Sequence, residues 1–360
     1  MREHHTGMTA AHLAERMAIM HDHVEVLDCT LRDGAHINHG LFGHERMRHI
    51  ISALADCGIG VVELGFLQDC EPNSDSSIYS DISQAEDLLD GVENSDQQYC
   101  LMLRTDRCGL QRLRRSDRIG YVRIAMYAEH LRQVNVYAHR LKELGYKVGI
   151  NPIAVSKYSM SELRELLEGV LELQPDAVAL VDTFGALRPQ AFAERLCLFD
   201  ELLPPSVTLG IHLHENLSLA LSLALQATAM LQHRRLLIDS SVSGMGRVPG
   251  NLPTELLLGA LDRLSALQAE RLAEAAQICE HFRCISPWGY SPLYALSALL
   301  NIDRTYPEFF ASRELSPAAN IRAQHWISSR GYGHKFSDGH ARQAISMLAG
   351  QGTTGMNEDA

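Results

Sequence analysis

The residues with the clearest chemical pattern are His212 and His214, two imidazoles separated by one leucine. In a regular strand, residues i and i+2 point to the same side, so both rings can reach one point in space. Adding the carboxylate of Asp28 gives a three-ligand set of mixed nitrogen and oxygen donors for a divalent metal. Such a set suits Mn, Zn, Co or Fe(II) and tolerates Mg less well. Three protein ligands leave positions open for a chelating substrate and water. Four residues beyond Asp28 stands Arg32. A guanidinium there can stabilise an enolate or carbonyl oxygen, or it can be tied into an ion pair with Glu63 or Asp239. His36, two residues past Gly34, can serve as general base for a substrate hydroxyl or remain a surface imidazole. Asp33 either bonds the loop backbone or helps seat the ligands. A loop with Gly244, Gly246 and Gly250 can turn backbone N–H groups toward an anion or simply make a tight turn. It lacks the Gly-Lys-Ser/Thr ending of a Walker loop.

An HxH pair means little by itself in a chain with 18 histidines, so its weight depends on the elements that carry it. Short apolar runs rich in β-branched residues occur at 24–27, 60–65, 99–103, 121–126, 148–154, 177–181, 207–211 and 236–240. Amphipathic helical patterns lie between them, at 44–57, 129–144, 160–173, 190–202 and 217–231. Continuous apolar strands are expected where helices cover both faces of a parallel sheet. Eight strand–helix repeats point to a (β/α)8 TIM barrel. The rival, a doubly wound open sheet, would usually place a glycine-rich GxGxxG loop after its first strand, and none occurs there. Active sites of TIM barrels lie at the C-terminal strand ends. The polar residues following the runs are 28–36, Glu63, Arg104, Asp182 with Thr183, 212–216 and Asp239. The expected organisation is an N-terminal extension at 1–23, partly helical over 9–20, and a barrel at 24–265. A helical C-terminal region at 266–350 and a tail at 351–360 follow.

The 360 residues are 46% hydrophobic and 21% charged, an ordinary balance for a folded protein. A net charge of −12 argues against non-specific binding to nucleic acid or an anionic membrane. The basic run 112–115 is expected to be a solvated helix face beside Asp117 and Arg118. Eight scattered cysteines without a CxxC pair read as reduced, mostly buried thiols of a cytoplasmic protein. No apolar run approaches transmembrane length, and no secretory h-region is seen at the start.

The segment LDCTLRDG at 27–34 resembles the signature of the DRE-TIM metallolyases, the HMG-CoA lyase-like superfamily. Residues 212–216 and 244–251 match later motifs of that family in the right order. The resemblance implies a divalent-metal TIM barrel that makes or breaks a C–C bond next to a carbonyl through a metal-bound enolate. It puts Asp28, His212 and His214 on the metal ligands and Arg32 on the enolate-stabilising arginine. RDGAH at 32–36 is similar to the 4-hydroxy-2-oxovalerate aldolase-like branch, as are HENLSLALS at 214–222 and GMGRVPGN at 244–251. Claisen condensing synthases usually read RDGEQ, and biotin-dependent transcarboxylases RDAHQ. HMG-CoA lyases carry a cysteine in the glycine loop, absent here.

The branch implies a class II pyruvate aldolase acting on a 4-hydroxy-2-oxoacid, with manganese ahead of Mg, Co or Zn. His36 would be the base for the 4-hydroxyl, and Tyr294, in GYSPLY at 289–294, the C-terminal tyrosine reaching the site. Thr183 would contact the substrate carboxylate region. Pyruvate and an aldehyde are the implied substrates, and a homo-oligomer is expected. The stretch after Tyr294 diverges from the region that docks a partner aldehyde dehydrogenase in the branch, which leaves such a partner open. An acyl-CoA/2-oxoacid condensing enzyme and a non-catalytic barrel subunit are the competing readings.

Overall fold

The computed structural model describes residues 22–351 except 93–95. The proposed helix at 9–20 and nearly all of the N-terminal extension and the C-terminal tail lie outside the described residues. Eight parallel strands form the barrel: β1 (Val24–Asp28), β2 (Val61–Leu67), β4 (Gln98–Leu103), β5 (Ile119–Met126), β6 (Lys147–Pro152), β7 (Ala177–Asp182), β8 (Thr208–Leu213) and β9 (Leu236–Ser240). Strand β1 pairs with β9 on one side and β2 on the other, which closes the sheet. A two-residue strand, β3 (Ile78–Tyr79), adds to the upper end of β2. All eight apolar runs therefore become barrel strands.

Registers set the height of the polar strand ends. Leu27 stands beside Asp239, and Val181 beside His212. The β2–β4 register slips between Glu63 and Phe66. Gly65 sits in that slip, where an added Cβ would lie 1.8 Å from the Ser77 carbonyl oxygen. Only glycine fits such a close backbone approach.

The covering helices follow the amphipathic stretches: His44–Asp56, Leu131–Glu143, Met160–Leu171, Pro189–Leu202 and Ala220–Met230. Met160–Leu171 shows why one starts where it does. Ser159 and Glu162 form a reciprocal capping box, and Leu163, Leu166, Leu167 and Val170 supply the buried stripe. No α-helix follows β4 among the described residues, only a 3-10 turn at Leu110–Arg112. The basic run is thus not a helix face. Its apolar neighbours are Leu110, which is exposed, and Leu113, too few to bury a helix side. The arginines instead pair locally, Arg112 with Asp69 at 3.0 Å and Arg114 with Asp81 at 3.2 Å.

The C-terminal region is helical as expected. Ala266–Arg283 packs on His44–Asp56, with Phe282 edge-on to Phe42. Pro292–Leu299, Thr305–Ser312, Pro317–Ser329 and Asp338–Gln351 follow. A small core of Ile302, Tyr306, Phe310, Ala323, Ile327, Ala341 and Ala344 holds most of this part together. It is tied to the barrel mouth by Arg247, which reaches Glu308 at 2.6 Å. All eight cysteines are free, five of them buried. None of the described helices is long and apolar enough to cross a membrane.

Candidate active site

His212 and His214 leave the end of β8 into the barrel mouth, both buried, with ring centroids 4.9 Å apart. Each ring is fixed through Nδ1. His214 Nδ1 lies 2.9 Å from the main-chain oxygen of Asp182. A carbonyl only accepts, so the proton sits on Nδ1 and the Nε2 lone pair is free. His212 Nδ1 lies 2.9 Å from the Asp239 carboxylate. Carboxylate- and carbonyl-anchored imidazoles are the usual support of metal-binding histidines. His214 Nε2 is buried and has no hydrogen-bond partner among the described residues. Burial, then Arg304 and His212, push the His214 pKa far down, which keeps the ring in its neutral, ligating form.

The carboxylate that meets the two rings is Asp33. One ligand atom from each of Asp33, His212 and His214 lies within 4.8 Å of the others. Asp33 Oδ2 is 3.9 Å from His214 Nε2. The Asn251 amide, from the glycine loop, donates to Asp33 Oδ2 at 2.6 Å, and its own oxygen has no partner among the described residues. Two buried imidazoles, one with an orphaned nitrogen, and a carboxylate converge, so the residues fit a divalent cation. Gly246 makes room for this arrangement. An added Cβ there would lie 2.3 Å from both the Asn251 amide nitrogen and Asp33 Oδ2.

Asp28, expected as the third ligand, is not part of this group. Its carboxylate accepts from Thr30 N–H and from the Thr254 hydroxyl, each at 2.8 Å, and is completely buried. Thr254 also bonds Ser240 at 2.8 Å. The reason is local. After Asp28 the chain does not run on as an extended loop but winds into the helical turn Thr30–Asp33. That turn lifts Arg32 and Asp33 to the mouth and leaves Asp28 as a buried fastener beneath. Burial raises the Asp28 pKa to about 6 against the bonds from Thr30 and Thr254.

A line of alternating buried charges runs behind these three residues. Arg32 donates through Nε to Glu63 at 2.6 Å and through Nη1 to Asp33. Arg123 donates to the other Glu63 oxygen at 3.3 Å and to Asp239 at 2.5 Å, and Asp239 holds His212. Burial pushes the Asp33 and Asp239 carboxyls up, but Arg32 and Arg123 outweigh it, and both are held below the usual range. The Arg32–Glu63 pair was one of the two arrangements open from the sequence. The structure adds that Arg32 Nη2 has no partner among the described residues, so a guanidinium edge is left for a ligand. Arg123 was missed. Its signal is a lone arginine in the middle of the apolar strand Ile119–Met126, since a buried charge is rarely found unpaired. Arg123→Met should cost about 3–5 kcal/mol of stability, because Glu63 and Asp239 lose the cation between them. Chemical denaturation checks this, and a loss below about 1 kcal/mol would show the network to be dispensable.

The cavity over these residues has a volume of about 170 Å³. Its walls include Arg32, Asp33, His36, Thr183, His212 and His214. His36 lies edge-on to Phe66, with Nε2 3.8 Å from Asp33 Oδ1, and 37% of its side chain is open to solvent. Burial, resisted by Asp33 and aided by Arg247, Arg32 and Arg304, lowers its pKa to about 4. The Thr183 hydroxyl accepts from Ala154 N–H at 2.8 Å, which leaves its hydrogen for another acceptor. Tyr294 does not line the cavity, whereas Tyr127 does. Tyr294 sits on Pro292–Leu299 near Arg247, Arg304 and Glu308, and burial raises its pKa to about 12. Its main-chain oxygen accepts from Asn216 at 3.5 Å.

Known proteins carry the same frame. The 4-hydroxy-2-oxovalerate aldolase of Geobacillus genomosp. 3 is 26% identical over 285 residues, 78% of this chain and 82% of that protein. A crystal structure of the N-terminal domain of a proposed aldolase from Bacteroides vulgatus superposes with a TM-score of 0.69 at 26% identity. It covers 83% of this chain and 99% of that one. The HMG-CoA lyase of Brucella melitensis shares the fold, with a TM-score of 0.59 at 18% identity over 73% of this chain and 99% of its own. The HMGL-like family profile matches residues 23–281, and the chain belongs to that family.

Proposed function

We propose that the protein is a carbon–carbon lyase, a class II pyruvate aldolase that cleaves or forms a 4-hydroxy-2-oxoacid. The observation that carries this reading is the group of Asp33, His212 and His214, with its unpartnered imidazole nitrogen, set beside Arg32 and His36. Similarity to a 4-hydroxy-2-oxovalerate aldolase supports the same chemistry. Asp33, His212 and His214 would hold the divalent ion, with Asn251 beside them, and manganese suits this oxygen–nitrogen set. When bound, the ion supplies Lewis acidity to the carbonyl of the 2-oxoacid.

The chain's own residues do the rest. His36 takes the proton of the C4 hydroxyl, the C3–C4 bond breaks, and the C4 carbon leaves as an aldehyde. The bonding electrons pass to the pyruvate half as an enolate. The free edge of Arg32 faces the developing oxygen charge, its plane fixed by Glu63 and Asp33. Thr183 offers its hydroxyl hydrogen to the substrate carboxylate. A proton from water or a cavity tyrosine then returns to C3, and pyruvate is released.

Stripping the metal with a chelator should abolish cleavage of 4-hydroxy-2-oxoacids, and added Mn²⁺ should restore it. Full-rate cleavage by metal-free protein would refute the proposal. Arg32→Lys keeps the charge but loses the two-sided grip of a guanidinium. It should lower kcat/KM by about 10²–10³-fold. A loss under tenfold would remove Arg32 from the reaction.

A further inference from the structure

The cavity is strongly cationic in a chain whose net charge is −12. Five arginines line it, Arg32, Arg104, Arg107, Arg247 and Arg304, and Asp33 is the one carboxylate in its wall. Three of the five already have carboxylate partners. Arg32 has Glu63 and Asp33, Arg104 has Asp106 at 2.7 Å, and Arg247 has Glu308 at 2.6 Å. Among the described residues, no carboxylate pairs with Arg107 or Arg304. Arg107 is exposed on the rim. Arg304 is the unusual one. It is only 5% exposed, and among the described residues its Nε has no partner and its sole side-chain bond is a 3.4 Å contact with the Arg247 carbonyl. The carboxylates around it are engaged elsewhere: Asp33 with Arg32, Glu308 with Arg247, and Asp303 with the Thr305 and Phe336 amides. Burial, and then Arg247, lower its pKa to about 10, so an uncompensated cation is being held out of water.

Leaving a buried guanidinium unpaired is costly unless a ligand completes it. Pyruvate brings one carboxylate and can satisfy one of the two free arginines. A divalent ion at Asp33 would only add positive charge. In the aldolase reading the pyruvate carboxylate sits at Thr183, so buried Arg304 is left for the remaining reactant, the aldehyde, with exposed Arg107 on the same cavity wall. Space lies next to this cavity, since a second chamber of about 340 Å³ has His36, Phe66, Arg104 and Arg107 in common with its wall.

We infer that the aldehyde partner carries an oxyanion group, a carboxylate or a phosphate, and that Arg304 and Arg107 select for it. This rests on the aldolase reading above. In the condensing direction a C3 proton of pyruvate passes to water or a cavity tyrosine, the enolate C3 bonds to the aldehyde carbon, and the π electrons of the aldehyde C=O pass to its oxygen. The former aldehyde oxygen takes a proton that His36 relays from solvent, and the anionic group passes through unchanged.

The test uses the full-length, Mn-loaded protein. Deuterium exchange into the pyruvate methyl group, with no aldehyde present, reports the pyruvate half alone. Condensation is then compared for glycolaldehyde, glyoxylate and glycolaldehyde phosphate. One or both anionic aldehydes should exceed neutral glycolaldehyde in kcat/KM by about ten- to a hundredfold, the worth of one charge-assisted contact. Which anion wins separates carboxylate from phosphate. Arg304→Met and Arg107→Met should each reduce that preference. For Arg304→Met, the loss on the anionic aldehyde should exceed the loss in pyruvate exchange at least tenfold. Neutral glycolaldehyde matching both anions overturns the inference. So does an equal loss of exchange in Arg304→Met, which would assign that arginine to the pyruvate carboxylate. Calorimetric binding of glycerol 3-phosphate against glycerol needs no turnover. Arg304-dependent binding without any pyruvate exchange would keep the anion site and reject the aldolase reading. Absence of both would reject the two together.

Discussion

Asp33→Asn is expected to lower Mn²⁺ affinity by about a hundredfold or more and to silence cleavage, while Asp28→Asn keeps both. The two aspartates lie five residues apart and differ completely in surroundings. Asp33 lies with the free nitrogen of His214 and the rest of the proposed ligand group, so its charge would face the cation. Asp28 faces only protein donors, the Thr30 amide and the Thr254 hydroxyl. An asparagine at 28 keeps the Thr30 bond, and Thr254 can reverse its role, accepting from the new amide, because the Ser240 hydroxyl can accept its hydrogen. Metal content after dialysis, read with calorimetric titration, decides the matter. Loss of metal in Asp28→Asn with Asp33→Asn unaffected would return the ligand role to Asp28.

Asp28 also carries a stability signature with a definite sign. Its folded pKa is about 6, above the ordinary 3.8. Between those values the folded state binds more protons than the unfolded one, so stability falls as pH rises from 4 to 6 and then levels off. The contribution is about 3 kcal/mol, and it should vanish from the pH profile of Asp28→Asn unfolding.

His36→Ala should reduce aldol cleavage by about 10²–10⁴-fold, the usual worth of a positioned general base. Oxaloacetate decarboxylation should survive nearly intact, because it needs the enolate side of the cavity but no base for a hydroxyl. The split is the informative part. Equal loss of both reactions would show His36 acting on ligand geometry through Asp33, 3.8 Å away. The low pKa of His36 gives the pH counterpart. With the value near 4, the ring stays neutral and able to accept a proton well below pH 6.5. The acid limb of cleavage should not follow an ordinary imidazole. A limb at pH 6.5 that disappears in His36→Gln would contradict the environment described here.

The barrel and two of the three residues of the proposed ligand group were legible because they depend on local periodicity. Eight apolar runs were enough to count the strands, since strands covered on both faces must be apolar throughout. The i, i+2 rule brought His212 and His214 together without any knowledge of the rest of the chain. Gly65 and Gly246 have no local signature of this kind, because what fixes them is a distant backbone or side chain.

The sequence by itself determined that a strand-borne histidine pair meets an acidic, arginine-bearing segment at one end of a parallel barrel. The tertiary structure decided which aspartate faces the pair, because a single helical turn at Thr30–Asp33 exchanges the positions of Asp28 and Asp33 relative to the mouth. It also decided the state of the arginines. Arg32 and Arg123 are neutralised by Glu63 and Asp239 from other strands, whereas Arg304 arrives from the C-terminal helices with no carboxylate partner among the described residues. Charge pairing across a barrel is a through-space property, and residue spacing along the chain carries no record of it.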